Sequence, residues 1–146
     1  MITVILADDH AILRDGLRFL LEAAGDIQII SMAANGQEAV EQAQMHCPDV
    51  IVMDISMPVM SGIEATKHIC KICEHTKVAI LSMHHTTEYI QRALEAGAVG
   101  YLLKDSAGAE LVAAIRAIND GNRYISKTIT GRPLDIDSWR GGNSIN

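Results

Sequence analysis

The sequence predicts an α/β domain built on a parallel sheet with helices covering both of its faces. Short apolar runs rich in β-branched residues recur along the chain, and helical patterns fill the gaps between them. The chain has 146 residues, the size of one domain with one sizeable core.

Each element can be justified in order. Thr3 to Ala7 is short and apolar enough to be a buried first strand. Leu13, Leu17, Leu20, Leu21 and Ala24 then form one stripe at the spacing that turns an apolar helix face onto a sheet. Gln28 to Met32 is the second strand. The second helix begins at Asn35 with Glu38 three residues on, a capping-box pattern in which a side-chain oxygen and a carboxylate satisfy orphan amides. Val50 to Met53 is the third strand, and Ser61 with Glu64 opens the third helix in the same way. Val78 to Leu81 is the fourth strand, and a helix from Thr87 to Ala96 stops at Gly97, a good left-handed cap. Val99 to Leu103 is the fifth strand. The last helix, Ala107 to Asp120, buries Leu111, Ile115 and Ile118 and stops at Gly121. This assigns residues 1–122 to one domain. After Tyr124 no period is sustained, so residues 123–146 read as a C-terminal tail or linker remnant, partly disordered.

Composition excludes several function classes. The formal net charge is -6, with 49% hydrophobic and 21% charged residues, so nothing supports an electrostatic grip on DNA or on an anionic membrane. The apolar runs are far shorter than a membrane span, and Met1 leads straight into the first strand without a basic region or cleavage site, which reads as cytoplasmic. Cys47, Cys70 and Cys73 cannot all pair within one chain, which fits a reducing compartment. Cys70 and Cys73 form a C-x-x-C, but inside the helical pattern that starts at Gly62 and with no second pair. They read as small packing side chains rather than a redox or zinc motif. His10, His84 and His85 lack the spacing of a zinc site.

The polar residues that follow the strands are coherent. In open α/β sheets the ligand site lies outside the carboxyl ends of the strands. Asp8-Asp9 follows the first strand, Asp54 the third, Ser82 the fourth and Lys104 the fifth. Taken singly, Asp9 reads equally well as a helix N-cap, Ser82 as a loop hydroxyl and Lys104 as a surface charge. Their joint placement on one edge reverses that reading. Three crowded carboxylates take up protons or share a cation, and oxygen ligands select Mg²⁺, with Asp9 and Asp54 as direct ligands and Asp8 acting through water. A lysine can neutralise phosphate oxygens and a serine hydroxyl can donate to another, which leaves Asp54 as the nucleophile of a covalent phosphoryl transfer. An aspartate-based phosphohydrolase would use the same chemistry, but Ser56 stands two residues after Asp54, where such enzymes carry a second acid.

These residues carry a resemblance. Asp8-Asp9, Asp54 followed by Met57-Pro58 and Gly62, Ser82, and Lys104 after Gly100-Tyr101-Leu102-Leu103 make the chain similar to the receiver domains of two-component response regulators, over about Met1 to Gly121. The resemblance implies a flavodoxin-like, doubly wound sheet of five parallel strands in the order 2-1-3-4-5, with five helices. It implies phosphorylation of Asp54 by a sensor histidine kinase, Mg²⁺ bound by Asp8, Asp9, Asp54 and the main-chain carbonyl of Ser56, and contacts from Ser82 and Lys104 to the phosphoryl group. It implies a switch in which Tyr101 turns inward as Ser82 moves toward that group. It also implies homodimerisation on phosphorylation, through the fourth and fifth helices or the first and fifth. Such a domain is a signalling receiver, catalysing only its own phosphorylation and dephosphorylation.

The Asp8-Asp9-His10 start and the Gly-Tyr-Leu-Leu-Lys-Asp run look like the NarL/FixJ (LuxR-type) subfamily, whose members carry a C-terminal helix-turn-helix that binds DNA. Nothing after Ser126 offers a recognition helix, so transcription regulation belongs to a longer parent protein. Asp105 stands where many receivers have proline. The family pattern implies a cis bond there, which costs about 3 to 4 kcal/mol without proline. The rival within this fold is a phosphorylation-independent pseudo-receiver, an interaction module that would tend to lose acidic or lysine positions that this chain keeps.

Overall fold

The computed structural model describes residues 1–127 and residue 129. Strands β1 (Ile2–Ala7), β2 (Ile27–Ala33), β3 (Val50–Asp54), β4 (Lys77–Ser82) and β5 (Gly100–Leu103) alternate with helices α1 (Ala11–Ala23), α2 (Gly36–His46), α3 (Gly62–Ile72), α4 (Thr87–Ala96) and α5 (Ala107–Asn119). Every predicted strand and helix is present within a residue or two of its expected ends.

The strands are all parallel, and their period of two sorts side chains between two apolar layers. Val4 and Leu6 of β1 join Leu17 and Leu21 of α1 and Leu111, Ile115 and Ile118 of α5 on one face. Ile5 and Ala7 join Ala39 and Ala43 of α2, Ile69 of α3 and Leu94 of α4 on the other. Both faces are covered, so β3, an inner strand of the sheet, is buried at all five positions.

The caps follow the sequence pattern fully at α2 and in half at α3. Asn35 accepts a hydrogen bond from the Glu38 amide at 2.8 Å, and the Glu38 carboxylate accepts from the Ala34 amide at 2.9 Å. Ser61 accepts from the Glu64 amide at 3.2 Å, while the Glu64 carboxylate turns toward His68 instead. Gly97 ends α4 at φ 114°, a conformation that costs glycine little.

One expectation is corrected. The sheet has six strands, in the order β2-β1-β3-β4-β5-β6, and the sixth is β6 (Tyr124–Ile125). This strand is too short to show a period in sequence. Backbone pairing holds it: the Tyr124 amide donates to the Val99 carbonyl at 3.0 Å and the Ser126 amide to the Tyr101 carbonyl at 2.8 Å. The segment read as a tail from residue 123 thus begins on the sheet, with Ser126 and Ile129 fully buried. Thr128 and residues 130–146 of that reading lie outside the described residues.

The bond from Lys104 to Asp105, whose isomer the sequence leaves open, is settled as trans. None of the peptide bonds among the described residues is cis. Without a proline ring the trans form is favoured by about 3 to 4 kcal/mol, and Lys104–Ser106 continues from β5 as a single 3₁₀ turn. No helix among the described residues is long and apolar enough to cross a membrane.

Candidate functional site

The carboxyl ends of β1, β3, β4 and β5 lie side by side, and the predicted polar residues meet there. Asp8 follows directly on β1 and is 3% exposed. Its Oδ1 accepts from the His10 amide at 2.8 Å, which holds the carboxylate at the entrance to α1, and Arg14 donates to the Asp8 carbonyl at 2.7 Å. His10 is the N-cap of α1, and neither aspartate caps that helix by the usual bond to an amide of its first turn.

Asp54 is the last residue of β3 and is 2% exposed. Its Oδ1 accepts from the Ser56 amide at 3.3 Å and its Oδ2 lies 3.1 Å from Lys104 Nζ. The loop behind it passes so close that a Cβ on Gly62 would overlap the Asp54 carbonyl, which explains glycine at the start of α3. Lys104 reaches in from the end of β5, with Nζ also 3.5 Å from Asp8 Oδ2 and 3.3 Å from His10 Nδ1.

Electrostatics set this group apart. Burial pushes the Asp54 carboxyl above the ordinary aspartate range, and the neighbouring Asp8 charge adds to the rise. The Lys104 ammonium and the Ser56 amide oppose it without reversing it. Asp8 Oδ2 is buried and has no hydrogen-bond partner. Ligand atoms of Asp8, Asp9, His10 and Asp54 all lie within 4.8 Å of one another, so the cluster is placed to hold a metal ion. A buried oxygen that has the Lys104 ammonium near it but no hydrogen bond, and a donor set made largely of carboxylate oxygens, fit a hard divalent cation.

Ser82 ends β4 and is 1% exposed, and its hydroxyl accepts from the His84 amide at 2.9 Å. Tyr101 already lies inward: the ring is fully buried and its hydroxyl donates to the His84 carbonyl at 2.7 Å. Burial raises the Tyr101 pKa, and a hydrogen bond with Ser82 works against that rise. The His84 ring stacks on Tyr89 with centroids 4.0 Å apart. An open cleft of about 430 Å³ lies over the site, lined by His10, Asp54, Ser56, Met83, His84 and Lys104.

Asp8, Asp9, Asp54 and Lys104 are therefore brought together as the strand ends predict. Ser56 contributes an amide to Asp54, and Ser82 stands one strand away with Tyr101. The residue that sequence reasoning missed is His10, set aside there because its spacing suits no zinc motif. Its Nδ1 lies 3.1 Å from Asp8 Oδ1 and 3.4 Å from Asp9 Oδ1. Its position directly after the Asp8-Asp9 pair was the available signal.

Residues 4–116 match the family of the response regulator receiver domain. The chain is 41% identical over 145 residues to the transcriptional regulatory protein LiaR of Bacillus subtilis (strain 168), covering 99% of this chain and 69% of that protein. It is 38% identical over 128 residues to the oxygen regulatory protein NreC of Staphylococcus carnosus (strain TM300), covering 87% of this chain and 59% of that one. Among solved structures, a LuxR-family two-component response regulator from Aurantimonas sp. SI85-9A1 superposes with a TM-score of 0.85 at 40% identity, covering 88% of this chain and 92% of that chain. The chain thus spans 59% to 69% of the length of these two curated relatives.

Proposed function

The chain belongs to the response regulator receiver domain family, and on that premise we propose that it accepts a phosphoryl group from a sensor histidine kinase onto Asp54 in a Mg²⁺-dependent step. Receivers of transcriptional regulators are signalling proteins rather than enzymes with an outside substrate. The observation that carries the reading is Lys104 Nζ, 3.1 Å from Asp54 Oδ2 and 3.5 Å from Asp8 Oδ2, inside a cluster of carboxylates.

An Asp54 oxygen attacks the phosphorus of the kinase phosphohistidine. The phosphorus–nitrogen bond breaks, and its electron pair stays on the imidazole, which takes up a proton. Lys104 follows the developing negative charge on the phosphoryl oxygens, and the Ser56 amide steadies the attacking carboxylate. Asp8, Asp9, Asp54 and the Ser56 carbonyl are the proposed ligands of Mg²⁺, which when bound supplies positive charge to the phosphoryl oxygens.

Ser82 is the proposed link to the surface. On phosphorylation its hydroxyl turns to donate to a phosphoryl oxygen and gives up the hydrogen bond that it accepts from the His84 amide. Because Tyr101 shares His84 as a partner, that exchange bears on the β4–α4 segment as well as on the ring. With the ring already inward, the proposed switch is this change of partner rather than entry of the ring. In a longer parent protein the domain would control a DNA-binding module, with homodimerisation on phosphorylation. A pseudo-receiver is the alternative, and the presence of Asp8, Asp9, Asp54, Ser82 and Lys104 counts against it.

The test is incubation with Mg²⁺ and acetyl phosphate, read by intact mass. Gain of one phosphoryl group that is lost with Asp54→Asn and with EDTA supports the reading. A folded protein that gains nothing would favour the pseudo-receiver.

A further inference from the structure

The C-x-x-C spacing suggests Cys70 and Cys73 as a pair, yet the structure pairs the sulfurs differently. Cys73 Sγ lies 3.9 Å from Cys47 Sγ, although 26 positions separate the two in sequence. Cys70 Sγ instead lies 3.8 Å from the Gly97 carbonyl. It occupies space that a Cβ on residue 97 would need.

Cys47 caps the carboxyl end of α2 in a left-handed conformation, φ 43°, and Cys73 caps the carboxyl end of α3. Both converge on one backbone group: the Cys47 amide donates to the Ala43 carbonyl at 2.8 Å and the Cys73 thiol to the same oxygen at 3.3 Å. The two caps precede β3 and β4, so they lie at the end of the sheet opposite Asp54. Cys47 is exposed, whereas Cys73 is buried and its thiol pKa is raised, by burial first and then by Cys47.

We propose that Cys47 and Cys73 form an oxidisable pair that closes to a disulfide on reaction with a low-molecular-weight disulfide such as glutathione disulfide. The exposed Cys47 thiolate attacks one sulfur of the oxidant, forming a mixed disulfide and releasing one glutathione thiolate. The Cys73 thiolate then attacks the Cys47 sulfur, and the second glutathione leaves. The two cysteine protons end on the two released glutathiones, so the oxidant is reduced by the two electrons that the thiols lose. Closing from 3.9 Å to a sulfur–sulfur bond removes both thiol hydrogens, so Cys47 gives up its 4.0 Å contact to the Gln44 carbonyl and Cys73 its 3.3 Å contact to the Ala43 carbonyl. The cross-link would staple the ends of α2 and α3 and enclose β3 in a covalent loop. None of this depends on Asp54 being a phosphoacceptor.

The full chain is incubated with glutathione disulfide, its remaining thiols are alkylated at low pH, and the products are read by intact mass and peptide mapping. The expected product carries a Cys47–Cys73 cross-link, alkylated Cys70 and no bound glutathione, and it unfolds at a higher temperature than the reduced protein. Cys73→Ala should stop at glutathione on Cys47, Cys47→Ser should leave Cys73 reduced, and Cys70→Ser should behave as the parent. A Cys70–Cys73 cross-link, a parent protein that retains glutathione on Cys47, or three unreacted thiols would each overturn the proposal. If Cys73→Ala fails to fold, the map of the parent and the exposed Cys47→Ser variant still decide.

Discussion

Two buried carboxylate sites in this molecule behave in opposite ways. Asp54 is 2% exposed and Glu110, on α5, is 8% exposed. Burial pushes both pKa values up, but only Asp54 ends above the ordinary range, because the charge of Asp8 adds to its burial and Lys104 compensates only in part. Glu110 ends below it. Tyr124 donates to its carboxylate at 2.8 Å, Ser126 at 3.2 Å and the Lys127 amide at 3.3 Å, with Ser106 adding to them. Burial alone therefore does not set the direction of the shift. The number of donors separates the two: Glu110 is saturated and fastens β6 to the domain, whereas the Asp8–Asp54 cluster is short of positive charge and placed to hold a metal ion.

The sharpest way to break the comparison is Asp54→Asn. Phosphoryl uptake from acetyl phosphate should vanish, while the unfolding midpoint should rise, because a repelled buried charge is removed. A fall in stability would show that the Lys104 contact outweighs burial and the Asp8 charge. Glu110→Ala should do the reverse. It should lose about 2 to 3 kcal/mol by leaving buried hydroxyls and an amide without their acceptor, with faster amide exchange at Tyr124–Lys127 and phosphoryl uptake retained.

Acid titration distinguishes the sites by sign. The folded pKa of Glu110 is depressed, so its stabilisation is present above the ordinary glutamate range and is lost as pH falls through the depressed value. The folded pKa of Asp54 is raised, so its penalty is present above that raised value and is relieved as pH falls to the ordinary aspartate range. The stability gained in Asp54→Asn should accordingly be largest near neutrality and shrink in acid. The advantage of the parent over Glu110→Gln should persist to lower pH before it disappears. Denaturant midpoints measured across pH for the three proteins check both slopes.

The smallest effect is Tyr124→Phe. Burial and the hydrogen bond to Glu110 push the Tyr124 phenol up to about 12, so the hydroxyl stays a donor throughout the working range. Its removal should cost about 1 kcal/mol, one net hydrogen bond, and leave phosphoryl uptake unchanged. A larger loss would mean that this hydroxyl, rather than the backbone pairing, holds β6 in place.

What the sequence determined by itself follows from local periodicity. Five strands, five helices and their caps were legible because apolar spacing, β-branched runs and glycine stops act over a few residues. Asp8, Asp9, Asp54, Ser82 and Lys104 were legible as one site because strand ends of a parallel sheet share an edge. Tertiary structure alone decided the rest. Strand β6 is two residues long and rests on backbone pairing with β5 and on Glu110, fourteen positions from Tyr124, so no period announces it. His10 joins the site because Asp8 folds back on its amide, and Cys73 meets Cys47 rather than Cys70 because α2 and α3 end side by side. In each case the deciding contact is set by how the elements pack or how a side chain turns, which residue spacing does not encode.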